Sequence, residues 1–184
     1  MHSLTAPSAW IERFAHLIAP HGTVLDLACG RGRHALWLQQ RGHSVTAVDR
    51  DEAALAALQA DVTAEAPLQI ITADIENAPW PLPGQQFSAV VVTNYLWRPL
   101  WPKILTSVTP GGLLLYETFS QGNEVFGKPS NPAFLLHPGE LLEICAGWHV
   151  VAYECGEANA PQRVVQRIAA IRPGGSATGE APLL

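Results

Sequence analysis

The stretch VLDLACGRGRHA, residues 24–35, contains residues whose types and spacing suit ligand binding. An apolar run leads into two glycines, Gly30 and Gly32, which precede a segment of helical character. A glycine backbone approaches a ligand more closely than any residue with a Cβ atom, and the start of a helix presents free N–H groups. We therefore expect a turn that holds an elongated ligand, which could be a dinucleotide, a phosphate compound or another molecule.

The spacing of this turn fits a dinucleotide, but one carboxylate argues against it. Gly30, Gly32 and Ala35 match the GxGxxA pattern, and an acid, Asp49, follows 19 residues after Gly30, near the roughly 20 expected for NAD binding. Asp26, however, would repel a pyrophosphate and attract an ammonium group. A ligand with a cationic end is therefore favoured, with a nicotinamide-dependent oxidoreductase as the alternative.

A second acid closes a later apolar stretch, in the sequence Ala73-Asp74-Ile75. The Asp74 carboxylate would accept a hydrogen bond from an exocyclic amine, and Ile75 would pack on the face of a purine. Asp49 and Asp74 would also suit ordinary helix N-caps. The glycine motif upstream favours ligand binding for both.

Apolar stretches of strand length alternate with helical patterns, which predicts an α/β fold with a largely parallel sheet between two helical layers. The last two strands are joined by the polar link GEANAPQ and predict a hairpin. The fold class is thus a Rossmann-like doubly wound sheet, mostly parallel, with a C-terminal antiparallel hairpin. The predicted strands are 23–27, 44–48, 68–72, 87–93, 113–119, 149–153 and 164–171, and the predicted helices are 10–18, 33–41, 53–60, 102–108 and 139–146.

The length of 184 residues predicts one domain, over residues 1–171, followed by a Gly- and Pro-rich tail, 172–184, which we expect to be mobile. The connection 120–138 is long for a loop, and loops of that length usually cover a site.

Composition excludes several classes of function. The net charge of −5 gives no footprint for a nucleic-acid backbone. The three cysteines are far apart and lack zinc-type spacing, so we expect reduced thiols, a cytoplasmic location and no metal. No apolar span of 18 residues is present, so a membrane-inserted protein is not expected. The sequence does not indicate an oligomeric state.

Four motifs, in this order and spacing, resemble those of the class I S-adenosylmethionine-dependent methyltransferases, over roughly residues 20–171. They are DLACGRGR, VTAVD, TADIE and TPGGLLLYETF. The runs CGRGR and FLLHPGELLEICAGWHVVAYEC are most similar to the tellurite-resistance methyltransferase group. The resemblance implies the seven-stranded class I methyltransferase fold, S-adenosylmethionine as cofactor and a small-molecule methyl acceptor.

The resemblance also implies roles for individual residues. Gly30 and Gly32 would approach the methionine part, Asp49 would bind both ribose hydroxyls, and Asp74 with Ile75 would hold adenine. Asn94 and Tyr95 would line the place of methyl delivery. The predicted cofactor-binding residues are Asp26, Ala28, Cys29, Gly30, Arg31, Gly32, Asp49, Arg50, Asp74, Ile75, Asn94 and Tyr95.

The chemistry at the acceptor depends on the acceptor's charge. An anionic acceptor needs no base, and an aromatic wall, for which Tyr95, Trp97, Phe119 and Phe126 are candidates, favours its reaction with a sulfonium. The group's histidine after the sixth strand is absent, so Arg163 or Arg167 would receive the anion.

A neutral acceptor needs a base. The candidates are Glu117, which is alternatively a buried hydrogen-bond acceptor, and His137. We predict Tyr95 and Glu117 as the catalytic residues. The sequence therefore predicts a methyltransferase acting on a small, soft or anionic acceptor; a non-catalytic protein that binds the same cofactor is a further alternative.

Overall fold

A computed structural model describes residues 6–63, 66–159 and 161–174. These residues form a seven-stranded sheet covered by helices on both faces. The strands are β1 (Thr23–Leu27), β2 (Ser44–Asp49), β3 (Leu68–Thr72), β4 (Phe87–Thr93), β5 (Val108–Phe119), β6 (His149–Asn159) and β7 (Gln162–Ile171). The helices are α1 (Ala9–Phe14), α2 (Arg33–Gln40), α3 (Glu52–Ala60), α4 (Trp101–Ser107) and α5 (Glu140–Ile144).

The strand order is β3-β2-β1-β4-β5-β7-β6. Strand β1 pairs in parallel with both β2 and β4, whereas β7 runs antiparallel to β5 and β6. The predicted doubly wound sheet with a C-terminal antiparallel hairpin is confirmed. The chain reverses its direction of winding between β1 and β4, and ligands of such sheets bind beyond the carboxyl ends of the strands at that point.

Alternating side chains of the central strands fill two separate cores. Leu25 and Val90 belong to the core beneath α4 and α5, whereas Val24 and Ala89 belong to the core beneath α1, α2 and α3. Strands buried on both faces read as nearly continuous apolar runs, which is why they were predictable. Two packed faces hold the strand ends, and hence the site, in fixed positions.

The structure corrects several predicted boundaries. Strand β5 begins at Val108 instead of residue 113, and a register shift opposite Phe87 and Ala89 accommodates Pro110-Gly111-Gly112. Strands β6 and β7 extend into the link GEANAPQ. The polar composition of this link is typical of a loop, so it was not predicted as strand. The side chains of that hairpin end are largely exposed, so polar residues are compatible with strand there. The N-terminal helix ends at Phe14 and continues as a 3₁₀ turn, Ala15–Leu17.

The tail predicted from residue 172 lies outside the described residues from position 175 onward. Of the helices in the described part of the chain, none has the length and hydropathy needed to cross a bilayer.

Candidate functional site

The predicted site residues follow strands that are neighbours in the sheet. Asp74 comes after β3, Asp49 ends β2, Gly30 follows β1, and Asn94 follows β4. Glu117 lies near the end of β5. Since neighbouring strands are about 4.8 Å apart, these residues form a row across one edge of the sheet.

Asp49 is held in place by two backbone amides. Its Oδ2 accepts a hydrogen bond from Gly30 N at 2.7 Å, and its Oδ1 accepts one from Asp51 N at 2.9 Å. A carboxylate oxygen has two lone pairs, so one acceptor position stays free on each oxygen. Two free acceptor positions on one fixed carboxylate suit a pair of neighbouring hydroxyl groups.

Asp74 is organised by its own turn. Its Oδ1 accepts hydrogen bonds from Glu76 N and Asn77 N, and its Oδ2 accepts one from Asn77 Nδ2 at 3.0 Å. These hydrogen bonds, that of the Asn77 side chain foremost, lower the pKa of Asp74. The carboxylate therefore stays ionised, and Oδ2 retains one lone pair for a donor such as an amine.

A cleft of about 160 Å³ lies between these two carboxylates. It is smaller than the roughly 300–1,000 Å³ usual for pockets that enclose a whole drug-sized ligand, so it suits one end of a longer molecule. Its lining unites six of the predicted residues with two that were not predicted, Ala73 and Glu76. The predicted residues in the lining are Ala28, Asp49, Arg50, Asp74, Ile75 and Tyr95.

The Tyr95 hydroxyl is buried, and within the described residues it makes no hydrogen bond of ordinary geometry. Burial, together with the nearby Glu76 carboxylate, raises its pKa, so the phenol keeps its proton. The hydroxyl thus faces the Glu76 carboxylate within the lining of the cleft.

The two glycines of the turn serve different purposes. A Cβ atom on Gly30 would meet nothing within 4 Å, whereas one on Gly32 would lie 2.4 Å from Leu58 Cδ1 in α3. Both have left-handed backbones, with φ of +54° and +68°. Gly30 thus leaves open space for a ligand, while Gly32 allows α3 to pack against the turn.

The expectation of free N–H groups at this turn is wrong for three of its residues. Gly30 N donates to Asp49, Cys29 N donates to Val48 O, and Gly32 N donates to Cys29 O. The turn therefore contributes shape and close approach, and its hydrogen bonds orient Asp49.

Two residues other than glycine at the strand ends also have left-handed backbones. Ala28 follows β1 with φ of +55°, and Asn94 follows β4 with φ of +54°. Such conformations cost free energy and cluster at ligand sites. Asn94 N donates to Glu117 O, which fixes the main chain there, but the Asn94 side chain is exposed and does not line the cleft.

Asp26 does not lie in the cleft, and the structure gives it another partner. Because residues 24 and 26 of a strand share a face, Asp26 points toward α2. Its Oδ2 accepts a hydrogen bond from Ala35 N at 3.0 Å, so it caps α2, whose N-cap Gly32 has no side chain. Burial raises the pKa of this carboxyl to about 7.

Cys29 and Arg31 also lie outside the cleft lining. Cys29 is a packing residue in the core beneath α2. Burial raises the pKa of its thiol. Arg31 is exposed.

Glu117 is 1% exposed and lies in a charge network. Its Oε2 is 2.7 Å from Arg167 Nε, its Oε1 is 3.4 Å from Arg163 Nη2, and Ser8 Oγ donates to Oε2 at 3.0 Å. These contacts favour the interpretation of Glu117 as a buried hydrogen-bond acceptor over that of a base that faces a substrate.

Ser8 also contacts His34, a link that sequence reasoning missed. Ser8 N donates to His34 Nε2 at 3.1 Å, and His34 Nδ1 lies 3.5 Å from Thr93 Oγ1. Burial, reinforced by Arg33, lowers the pKa of His34 to about 3, so its ring is neutral. Ser8 is the N-cap of α1, and its Oγ accepts a hydrogen bond from Trp10 N at 3.2 Å. A serine before an apolar helical run is the sequence signal that could have located it.

Among residues 6–63, 66–159 and 161–174, no three His, Cys, Asp or Glu side chains are arranged to hold a metal ion.

Comparison with known proteins agrees with this geometry. Residues 24–112 match the model of a methyltransferase domain family. The chain is 29% identical to Hemagglutinin 1 of Eikenella corrodens over 160 residues, which are 83% of this chain and 52% of that protein. It is 39% identical to an uncharacterized methyltransferase of Mycobacterium bovis over 109 residues, covering 55% of this chain and 54% of that protein. The chain thus spans about half the length of these relatives.

Solved structures share the fold. TehB from Haemophilus influenzae superposes with a TM-score of 0.73 at 21% identity, covering 93% of this chain and 64% of that chain. The glycopeptide N-methyltransferase MtfA in complex with S-adenosyl-L-homocysteine superposes with a TM-score of 0.62 at 19% identity, covering 88% of each chain. The matched family segment runs from β1 into β5 and includes Gly30, Asp49 and Asp74.

Proposed function

We propose that this chain, a class I S-adenosylmethionine-dependent methyltransferase by its matched domain and its fold, methylates a small acceptor that is already an anion. The observation that carries the use of this donor is Asp49, whose carboxylate is fixed by two amides and keeps one free acceptor position on each oxygen. It lies between the open face of Gly30 and the cleft at Asp74.

The residues present fit the donor. Asp74 and Ile75 would hold the adenine, Asp49 the ribose hydroxyls, and the open side of Gly30 the methionine part. Tyr95, in the lining of the same cleft, would contact the bound molecule.

Bound S-adenosylmethionine supplies a methyl group that is already activated by its sulfonium. The chain therefore has to orient the two reactants and exclude water, and it does not need a nucleophilic side chain. The fixed strand ends and the rigid turn serve that purpose, since Asp49 and Gly30 position each other.

An anionic acceptor is supported by the charges beside β5. Arg163 and Arg167 share one fully buried carboxylate, Glu117, so the network contains more positive than negative charge at its centre. Exposed Glu154 pairs with the outer side of Arg167. The resemblance to the tellurite-resistance group adds chalcogen oxyanions to the acceptors worth testing.

The test is titration calorimetry of the purified chain with S-adenosylhomocysteine and, separately, with NADH. We expect binding of S-adenosylhomocysteine and none of NADH, and mass spectrometry of the purified protein should reveal a bound adenosyl compound. Preference for NADH would overturn the proposal. Tight binding without turnover of any acceptor would identify a non-catalytic cofactor-binding protein.

We also place the reaction in the cytoplasm and give it no nucleic-acid partner. In support, Cys29, Cys145 and Cys155 are free thiols, and the net charge is −5.

A further inference from the structure

A second cavity, of about 240 Å³, lies at the same edge of the sheet as the cofactor cleft but shares no residue with it. One wall is formed by Phe119 at the end of β5 and Arg163 at the start of β7. The other wall is formed by Phe126 and Lys128 of the long loop. This loop was expected to cover a site.

The loop is fastened to the sheet by Asn123, which is 2% exposed. Its Oδ1 accepts a hydrogen bond from Val164 N at 3.2 Å, and its Nδ2 donates to Pro129 O at 3.1 Å. The wall that contains Phe126 and Lys128 is therefore built against the strand that contains Arg163, and the cavity is part of the folded structure.

A short series of contacts connects this cavity to the end of β4. Arg163 Nη2 is 3.4 Å from Glu117 Oε1, and Glu117 pairs in register with Thr93, the last residue of β4. The next residue, Asn94, begins the segment assigned to methyl delivery. Under the proposed function, these contacts would lead from Arg163, in the wall of the cavity, toward the donor's sulfonium.

The lining of the cavity combines aromatic and cationic side chains. Phe119 and Phe126 supply apolar surface, and Arg163 and Lys128 supply positive charge. Among the described residues that line it, there is no carboxylate and no imidazole. Such a lining suits a molecule with an apolar ring and an anionic group, and it offers no group that removes a proton.

The titratable groups behind the cavity are also unsuited to act as a base. Glu117 is paired with two arginines and a serine hydroxyl. His34 has Nε2 occupied by Ser8 N, and its pKa is lowered by burial. Neither Glu117 nor His34 is therefore placed to take a proton from a neutral acceptor. His137, the other candidate base, contacts Gln121 Nε2 at 2.8 Å and does not line the cavity.

We infer that the acceptor is an organic anion with an aromatic or similar apolar body, an arenethiolate being the model compound, bound with its anionic atom toward Arg163 and its ring between Phe119 and Phe126. This inference rests on the proposed function. The sulfur lone pair of the acceptor forms the bond to the methyl carbon, the bond between donor sulfur and methyl breaks, and its electron pair goes to that sulfur. Cation and anion become two neutral thioethers, and no proton is transferred.

The first experiment measures kcat/KM against pH for a series of ring-substituted benzenethiols of different acidity. Without a protein base, the rate rises with the ionisation of each thiol, so the inflection moves with the acidity of the acceptor. An inflection at one fixed pH for every thiol would show a protein base and overturn the inference. Turnover of selenite or of neutral phenols, but of no benzenethiol, would also overturn it.

The second experiment does not depend on turnover. Benzenesulfonate, an unreactive anion of similar shape, is titrated into the protein saturated with S-adenosylhomocysteine, and Phe126→Ala is compared with Phe134→Ala. Both residues lie in the same loop, but Phe134 is 43% exposed and does not line the cavity. We expect Phe126→Ala to weaken binding about tenfold, as the loss of an aromatic contact does, and Phe134→Ala to leave it unchanged. Equal effects of the two variants would contradict the inference.

Binding of S-adenosylhomocysteine separates failure of this inference from failure of the proposed function. If wild type and Phe126→Ala bind it equally, the protein is folded and the donor site is intact, so any failure concerns the acceptor alone. If the wild type does not bind it, the proposed function itself has failed.

Discussion

The two halves of the sheet edge use charge in opposite ways. At the ends of β2 and β3, Asp49 and Asp74 are held by backbone amides and keep free acceptor positions. At the ends of β5 and β7, Glu117 is surrounded by two arginines and a hydroxyl of this same chain. The first half is prepared for hydrogen-bond donors of a ligand. In the second half, the Glu117 carboxylate is paired within the chain, and arginine and phenylalanine side chains line the neighbouring cavity.

An acidic residue at a strand end is therefore not by itself a ligand site. Asp49 and Glu117 differ in their hydrogen-bonding partners. The neutral backbone amides at Asp49 orient the carboxylate and leave its negative charge unpaired, whereas the two guanidinium groups at Glu117 balance that charge. Measurements that separate stability from cofactor affinity therefore test the comparison directly.

Glu117→Gln should give the largest effect. It leaves Arg163 and Arg167 without their buried carboxylate, and loss of one partner of a buried ion pair costs about 3–5 kcal/mol. We expect that loss in urea unfolding, with affinity for S-adenosylhomocysteine unchanged. Glu154→Gln is the control, because Glu154 is half exposed and its pairs with Arg13 and Arg167 should contribute at most about 1 kcal/mol. Loss of cofactor affinity in Glu117→Gln would show that the half of the sheet edge around Glu117 also takes part in cofactor binding.

Asp26→Asn should change how stability depends on pH. Burial raises the pKa of Asp26 to about 7 in the folded chain, above its ordinary value of 3.8. Between these values the folded state binds a proton that the unfolded state lacks, so the free energy of unfolding rises as pH falls, by at most about 1.4 kcal/mol per pH unit.

In Asp26→Asn the amide oxygen still accepts the hydrogen bond from Ala35 N, and the burial of charge is removed. We expect the variant to lose this pH dependence and to gain up to about 4 kcal/mol at pH 8. Unfolding curves between pH 4 and pH 8 provide the measurement. If the free energy of unfolding depended on pH equally in wild type and variant, burial would not raise the pKa of Asp26.

The two glycines of the turn should respond differently to alanine. Gly32→Ala combines a left-handed backbone with a Cβ atom against Leu58 and should cost about 2–4 kcal/mol of stability. Gly30→Ala should cost only about 1–2 kcal/mol of stability but should weaken cofactor binding, since its Cβ enters the open space. Thermal unfolding and calorimetry on both variants measure the two effects. Equal loss of affinity would mean that Gly32 also faces the ligand.

Asp49→Ala should weaken binding of S-adenosylhomocysteine by about 1–3 kcal/mol, the usual result of losing a charge-assisted acceptor. Asp51→Ala is the matched control, because Asp51 caps α3 through Ala54 N and does not line the cleft. It should reduce stability by about 1 kcal/mol and leave affinity unchanged. Unaltered affinity in Asp49→Ala would mean that the ribose lies elsewhere.

The cofactor half was predictable because its signals are local. A strand, a glycine turn and an acid at the end of the next strand lie close together in sequence, and the buried central strands read as apolar runs. The glycine turn, Asp49 and Asp74 could thus be placed at one edge of the sheet from the order and spacing of residues. What local pattern could not give is the face on which Asp26 points, or the amides that occupy the turn.

In the other half, Phe119, Phe126, Glu117 and Arg163 were candidates from the sequence. Their contacts with one another were hidden, because these residues come from distant segments. Ser8 and Glu117 are 109 residues apart, and Glu117 and Arg163 are 46 apart. No periodicity or spacing links such residues, since only the folded sheet brings them together. The β6–β7 hairpin was predicted, but its full length was not, because its exposed end has the composition of a loop.

The hydrogen bonds that hold Asp49 have one further consequence. A free carboxylate side chain loses rotamer freedom when a ligand fixes it, at about 0.5–1.5 kcal/mol for a mobile side chain. Asp49 has lost that freedom on folding, because Gly30 and Asp51 already restrain both of its oxygens. Under the proposed function, the adenosyl group therefore binds to a preformed surface at this strand end, and the conformational entropy of this carboxylate does not oppose binding.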